Sequence, residues 1–70
     1  MADHVYSVSE IVGTSQTSTD AAVVNALDRA RRTLRNMDWF EVVGTRGHLA
    51  DDGSLDHFQV TVKVGFRMED

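Results

Sequence analysis

The chain has no cysteine and no proline, its basic residues number 7 against 11 acidic ones, and none of its apolar runs approaches the length of a membrane span. Each lack narrows the field. Without cysteine there is no disulfide and no thiolate-held zinc, so a chain of 70 residues is denied two usual supports of small folds. Cellular compartment is not decided by redox chemistry either. A lone chain of this size buries only about 60 % of the surface its unfolded form exposes, which leaves oligomerisation as the available remedy. The formal net charge of -4 disfavours non-specific binding to nucleic acid or to anionic lipid. A membrane helix needs about 20 consecutive apolar residues, and none is present. Met1-Ala2-Asp3-His4 carries neither the basic nor the apolar region of a signal peptide, so a cytoplasmic protein is expected. No proline, repeat or linker divides the chain, and residues 1–70 are read as one domain.

Enzyme signatures are missing as well. There is no nucleophile elbow, no phosphate-cradling glycine loop and no HExxH helix. Asp51, Asp52 and Asp56 share the charge of a calcium loop but not its spacing or its terminal Glu. His48 and His57 flank a hairpin turn where they can face each other, yet solvated hairpin histidines are commoner than metal ligands, and no metal site is expected.

What is present is strong patterning. His4 to Val12, rich in β-branched residues, reads as a strand, and Gly13 to Thr19 as a loop without core-forming side chains. Ser18 or Thr19 is suited to cap a helix, with Asp20 at its positive end. Val23, Leu27, Ala30, Leu34 and Met37 recur at steps of four and three, widened by Ala22 and Ala26, and predict a helix from Asp20 to Asn36. Arg29, Arg31, Arg32 and Arg35 collect near its C-terminus, where the helix dipole favours cations; the interleaved aromatics of a single-strand nucleic-acid binder are missing.

Trp39 to Leu49 is a second strand interrupted by Gly44 and Gly47, and Asp51 to Ser54 supplies a hairpin turn. Phe58, Val60, Val62, Val64, Phe66 and Met68 alternate with mixed residues without a miss. The order β-α-β-β defines an α+β fold with a three-stranded antiparallel sheet in order 1-3-2 and one helix on one face. Phe40 opposite Phe66 and Val42 opposite Val64 is the expected register. It turns Arg46 inward unless a bulge at Gly44 or Gly47 releases it. The uncovered sheet face points to self-association.

Trp39 is the only tryptophan. Phe40 continues the apolar phase of its strand, so the Trp39 ring is expected to face away from the core, either into a subunit contact or as a platform for a flat ligand.

The segments Glu10 to Ser15, Thr33 to Val42 with Asp38-Trp39-Phe40-Glu41-Val42, Arg46-Gly47, and Phe58 to Arg67 with Phe58-Gln59-Val60-Thr61-Val62-Lys63-Val64 together resemble the dodecins, small flavin-binding proteins. The resemblance spans nearly the whole chain and implies a hollow homododecamer with flavin at contacts between protomers. Storage and photoprotection, rather than turnover, is the implied role. It assigns Trp39 to stacking on the isoalloxazine and Gln59 to hydrogen bonding with the pyrimidine edge, for which an in-plane carbonyl and amide are complementary. Asp38 lies beside the ring as a candidate partner of the ribityl chain, and helix termination explains it equally well. Arg46 and Arg67 match arginines near the phosphate, which favours FMN over riboflavin, although ion pairs with Glu10, Glu41 or Glu69 are an alternative. Coenzyme A is a further ligand of the family. The competing readings are a flavin- or coenzyme-A-linked enzyme and a structural oligomer without ligand.

Overall fold

A computed structural model describes residues 3–69. Met1 and Ala2 of the opening segment, and Asp70, lie outside the described residues. The elements are β1 (Tyr6–Ser15), α1 (Thr19–Ala30), β2 (Met37–Leu49) and β3 (Leu55–Arg67). All strand pairs are antiparallel, and the sheet order is β1-β3-β2, as the patterning predicts. The best-patterned strand sits centrally. Among the described residues no helix is long and apolar enough to cross a membrane.

Ser18 caps α1, its hydroxyl accepting from the Ala21 amide at 3.0 Å, and Asp20 occupies the first turn. The helix is shorter than its apolar spacing predicts. After Ala30 the chain tightens: the amides of Arg32 and Thr33 donate to the carbonyls three residues back, and Asn36 adopts a left-handed φ of 63°. Asparagine tolerates that conformation, and it reverses the chain into β2. Leu34 and Met37 keep their periodic positions against the core although they stand outside the helix.

β1 also differs from expectation, starting at Tyr6 and running to Ser15, so the loop shrinks to Gln16–Ser18. Gly13 belongs to the strand because it pairs with Val60 and lets the helix approach. A Cβ there would meet the Ala22 carbonyl and come within 2.8 Å of the Ala26 Cβ. Small residues face small residues at this contact: Ala22, Ala26 and Ala30 are the buried helix positions, while Val23 and Leu27 pack at its margin.

The core is small. Val60, Val62 and Val64 are the largest fully buried side chains. The helix packs on one face of the sheet as expected, mainly against β1 and β3, and of β2 only Met37 joins the core. Phe40 and Val42, which share the helix side through their partners Val64 and Val62, remain 50 % and 45 % exposed. The radius of gyration, 14.7 Å, exceeds the about 11 Å of a compact domain of this length. The long β2–β3 hairpin projects past its own core.

Candidate functional site

Two bulges in β2 set which of its residues face the open side of the sheet. The register differs from expectation by two residues: Phe40 pairs with Val64 and Val42 with Val62, while Met37 takes Phe66. A shift of two preserves facing, and the apolar side chains stay on the helix side. Bulges then redirect selected positions. Met37 and Trp39 are opposite the adjacent residues Phe66 and Gly65, so the extra residue Asp38 sends Met37 to the core and Trp39 to the open face. A second bulge between Val42 and Gly44 does the same for Arg46, which pairs with Gln59 on the open face instead of pointing inward. The sequence offered Gly44 or Gly47 for this bulge, and the structure absorbs the extra residue at Val43, directly before Gly44.

The Trp39 ring lies across Gly65, where any Cβ would overlap it. Tyr6 stands beside it, ring centroids 6.1 Å apart and planes inclined at 59°. The Tyr6 hydroxyl donates to Asp38 Oδ2 at 2.8 Å. That carboxylate hydrogen bond raises the Tyr6 pKa above its ordinary value, helped by desolvation and the Asp38 charge and opposed by Arg67. Trp39 keeps 41 % of its surface exposed despite its floor and its neighbour. It is a flat aromatic plate on a backbone shelf.

Asp38, Trp39 and Arg67 therefore gather at one end of the open face: Arg67 pairs with Tyr6, and with Asn36, Met37 and Asp38 it lines a small depression. Gln59 and Arg46 sit together at the other end. Gln59 and Gly65 are six steps apart along β3, a distance of about 20 Å at strand rise. One chain does not bring the five residues into one site. Neither Arg46 nor Arg67 forms an ion pair among the described residues; Glu69 is taken by Arg35 at 3.1 Å and by the Asn36 side-chain amide at 3.1 Å.

Two hollows near these residues differ in character. A pocket of about 140 Å³ touches Leu27, Met37, Asp38, Trp39 and Phe40. A larger groove of about 680 Å³ runs between β1 and α1 from Ile11 to Thr14 and Asn25 to Ala30. The larger hollow contains none of the five residues, so volume alone is a poor guide to the site.

A family model described as Dodecin matches residues 5–69 of the chain. The chain belongs to the dodecin family. A dodecin of Thermus thermophilus is 48 % identical over 66 residues, 94 % of each chain. The solved dodecin of Streptomyces coelicolor superposes with a TM-score of 0.91 at 51 % identity, covering 100 % of this chain and 99 % of that one. That of Streptomyces davaonensis gives 0.91 at 52 % identity, with 99 % and 100 % covered. The dodecin fold and the family resemblance read from the sequence are both borne out.

Sequence reasoning missed Gly65 and Tyr6. Gly65 had a signal, a glycine interrupting an otherwise uniform strand, which often marks a close approach. Tyr6 had none, because its neighbours Asp38 and Arg67 are more than 30 positions away and only the sheet register unites them.

Proposed function

We propose that this dodecin stores and sequesters FMN in a hollow homododecamer, with paired flavins stacked between Trp39 rings where protomers meet. The observation that carries this reading is the Trp39 plate on the Gly65 shelf, exposed on a sheet face that its own helix does not cover. The separation of half-sites supports a shared site. Gln59 lies about 20 Å along β3 from Gly65, further than the three fused rings extend, so a flavin that uses both residues takes them from different chains. The exposed apolar residues of β2, including Phe40, Val42 and Val43, give the protomer surface to bury on assembly.

Energetics favour the paired arrangement. Stacking on one aromatic contributes about 1 to 3 kcal/mol, whereas nanomolar affinity needs about 12 kcal/mol. Two flavins stacked on each other between two Trp39 rings remove both faces of each from water. Gln59 then reads the pyrimidine edge, Asp38 stands by the ribityl chain, and Arg46 and Arg67 engage the phosphate through charge-assisted bonds. Bringing a nearby indole into contact allows rapid quenching of excited flavin, which makes the store photoprotective. The protein acts in the cytoplasm without turnover, because a flavin covered on both faces has no room for substrate.

The test is fluorescence titration of ligand-free protein with FMN, riboflavin and lumichrome. Equimolar quenching per protomer is expected, with near-complete loss in Trp39→Ala. Arg46→Ala and Arg67→Ala are expected to weaken FMN and leave riboflavin unchanged. A bright bound ligand, redox turnover with a small donor, or a species of protomer mass on a sizing column overturns the reading.

A further inference from the structure

The far end of the β2–β3 hairpin carries an arrangement that flavin binding does not use. His48 and His57 are direct cross-strand partners, their imidazoles stacked with centroids 4.7 Å apart and planes within 8°. His57 Nδ1 lies 2.6 Å from Asp56 Oδ2. In the tautomer that donates Nδ1–H to this carboxylate, Nε2 is the ring nitrogen with a lone pair to offer. Both rings stand on the open face next to the Arg46–Gln59 pair.

We propose that His48 and His57 chelate a divalent transition-metal ion of the zinc class, with Asp56 holding His57 in the ligating tautomer. Imidazole nitrogen suits zinc, copper and nickel, and is a poor ligand for calcium or magnesium, which prefer oxygen. Zinc–nitrogen bonds of about 2.0 to 2.1 Å in a tetrahedron set the two donor nitrogens about 3.3 Å apart. The stacked rings hold their in-plane lone pairs side by side, so each must turn about its side-chain torsions to converge on one ion; their direct cross-strand pairing keeps both within reach of it. The carboxylate on Nδ1 is the outer-shell partner that metal-bound histidines ordinarily have.

No cluster of three or more metal-ligating side chains occurs among the described residues, so two positions on the ion are open to water. An open two-histidine site is accessible and exchangeable, unlike the closed four-ligand site of a structural zinc.

The experiment is calorimetric titration of chelator-treated, full-length protein with zinc chloride. One zinc per chain is expected, with saturable binding lost in His48→Gln and in His57→Gln, and weakened about tenfold in Asp56→Asn. The imidazole nitrogen resonances of the unsubstituted protein give a second readout independent of variant folding. Shifts at His48 and His57 with none at His4 are expected. Absence of saturable binding, undiminished binding in either glutamine variant, or shifts at His4 alone overturns the proposal. Unchanged affinity in Asp56→Asn overturns the role given to Asp56.

Discussion

Trp39 rests on the backbone of Gly65, its partner across the β2–β3 ladder, so closely that position 65 has no space for a side chain. Gly13 is equally crowded, but the obstacle is of another kind. At Gly65 the obstruction is the body of the half-exposed Trp39 indole, its ring-fusion atoms included; at Gly13 it is the Ala22 carbonyl and the Ala26 Cβ of a packed helix. The first can move and the second cannot, which separates a glycine required by the ligand platform from one required by the fold.

Gly65→Ala is expected to displace the Trp39 ring and spare the fold. An off-rotamer side chain costs about 1 kcal/mol, which lowers the melting temperature by about 4 to 8 °C without preventing folding. Losing stacking of about 1 to 3 kcal/mol weakens FMN by roughly ten- to hundredfold. Emission of the only tryptophan reports the displacement directly. Wild-type FMN affinity in this variant would show that the shelf has no part in binding.

Gly13→Ala is expected to behave in the opposite way. Pushing the helix from the sheet costs about 1 to 3 kcal/mol, and for a domain of this size each kcal/mol lowers the melting temperature by about 4 to 8 °C. A thermal melt by circular dichroism measures it. An unchanged midpoint contradicts the close helix–sheet contact.

Tyr6 is the only tyrosine, so its ionisation can be followed by ultraviolet absorbance without ambiguity. The hydrogen bond to Asp38, the first of its causes, raises its folded pKa above the ordinary value of 10.0. Because the folded pKa is the higher one, the stabilisation is fully present below about pH 10 and disappears as pH rises through the folded value. Asp38→Ala is expected to move the absorbance midpoint back toward 10. A midpoint unaffected by that substitution rules out the Tyr6–Asp38 bond as the cause.

The alternation from Phe58 to Met68 made β3 the central strand legible, and Val60, Val62 and Val64 are buried as that pattern requires. The capping of α1 by Ser18 was equally local and equally readable. Its end was not. Leu34 and Met37 continue the helical spacing because they pack on the same core, so periodicity recorded burial beyond the point where the backbone had left the helix. Pairing Phe40 with Phe66 matched like with like, whereas the observed ladder pairs Phe40 with Val64 and gives Phe66 to Met37, a choice between registers that share the same facing.

The sequence by itself determined the order of elements, the apolar side of β3 and the residue types available for binding, because side-chain alternation and capping act over a few neighbouring positions. Only the tertiary structure decided how the nominated residues are distributed. The outward facing of Trp39 follows from the phase of Phe40, but the bulge at Asp38 turned Met37 to the core, the bulge at Val43 turned Arg46 to the open face, and strand rise placed Trp39 and Gln59 at opposite ends of that face. Those outcomes depend on where an extra residue is absorbed between paired strands, a balance of ladder hydrogen bonds and core packing between segments far apart in the chain.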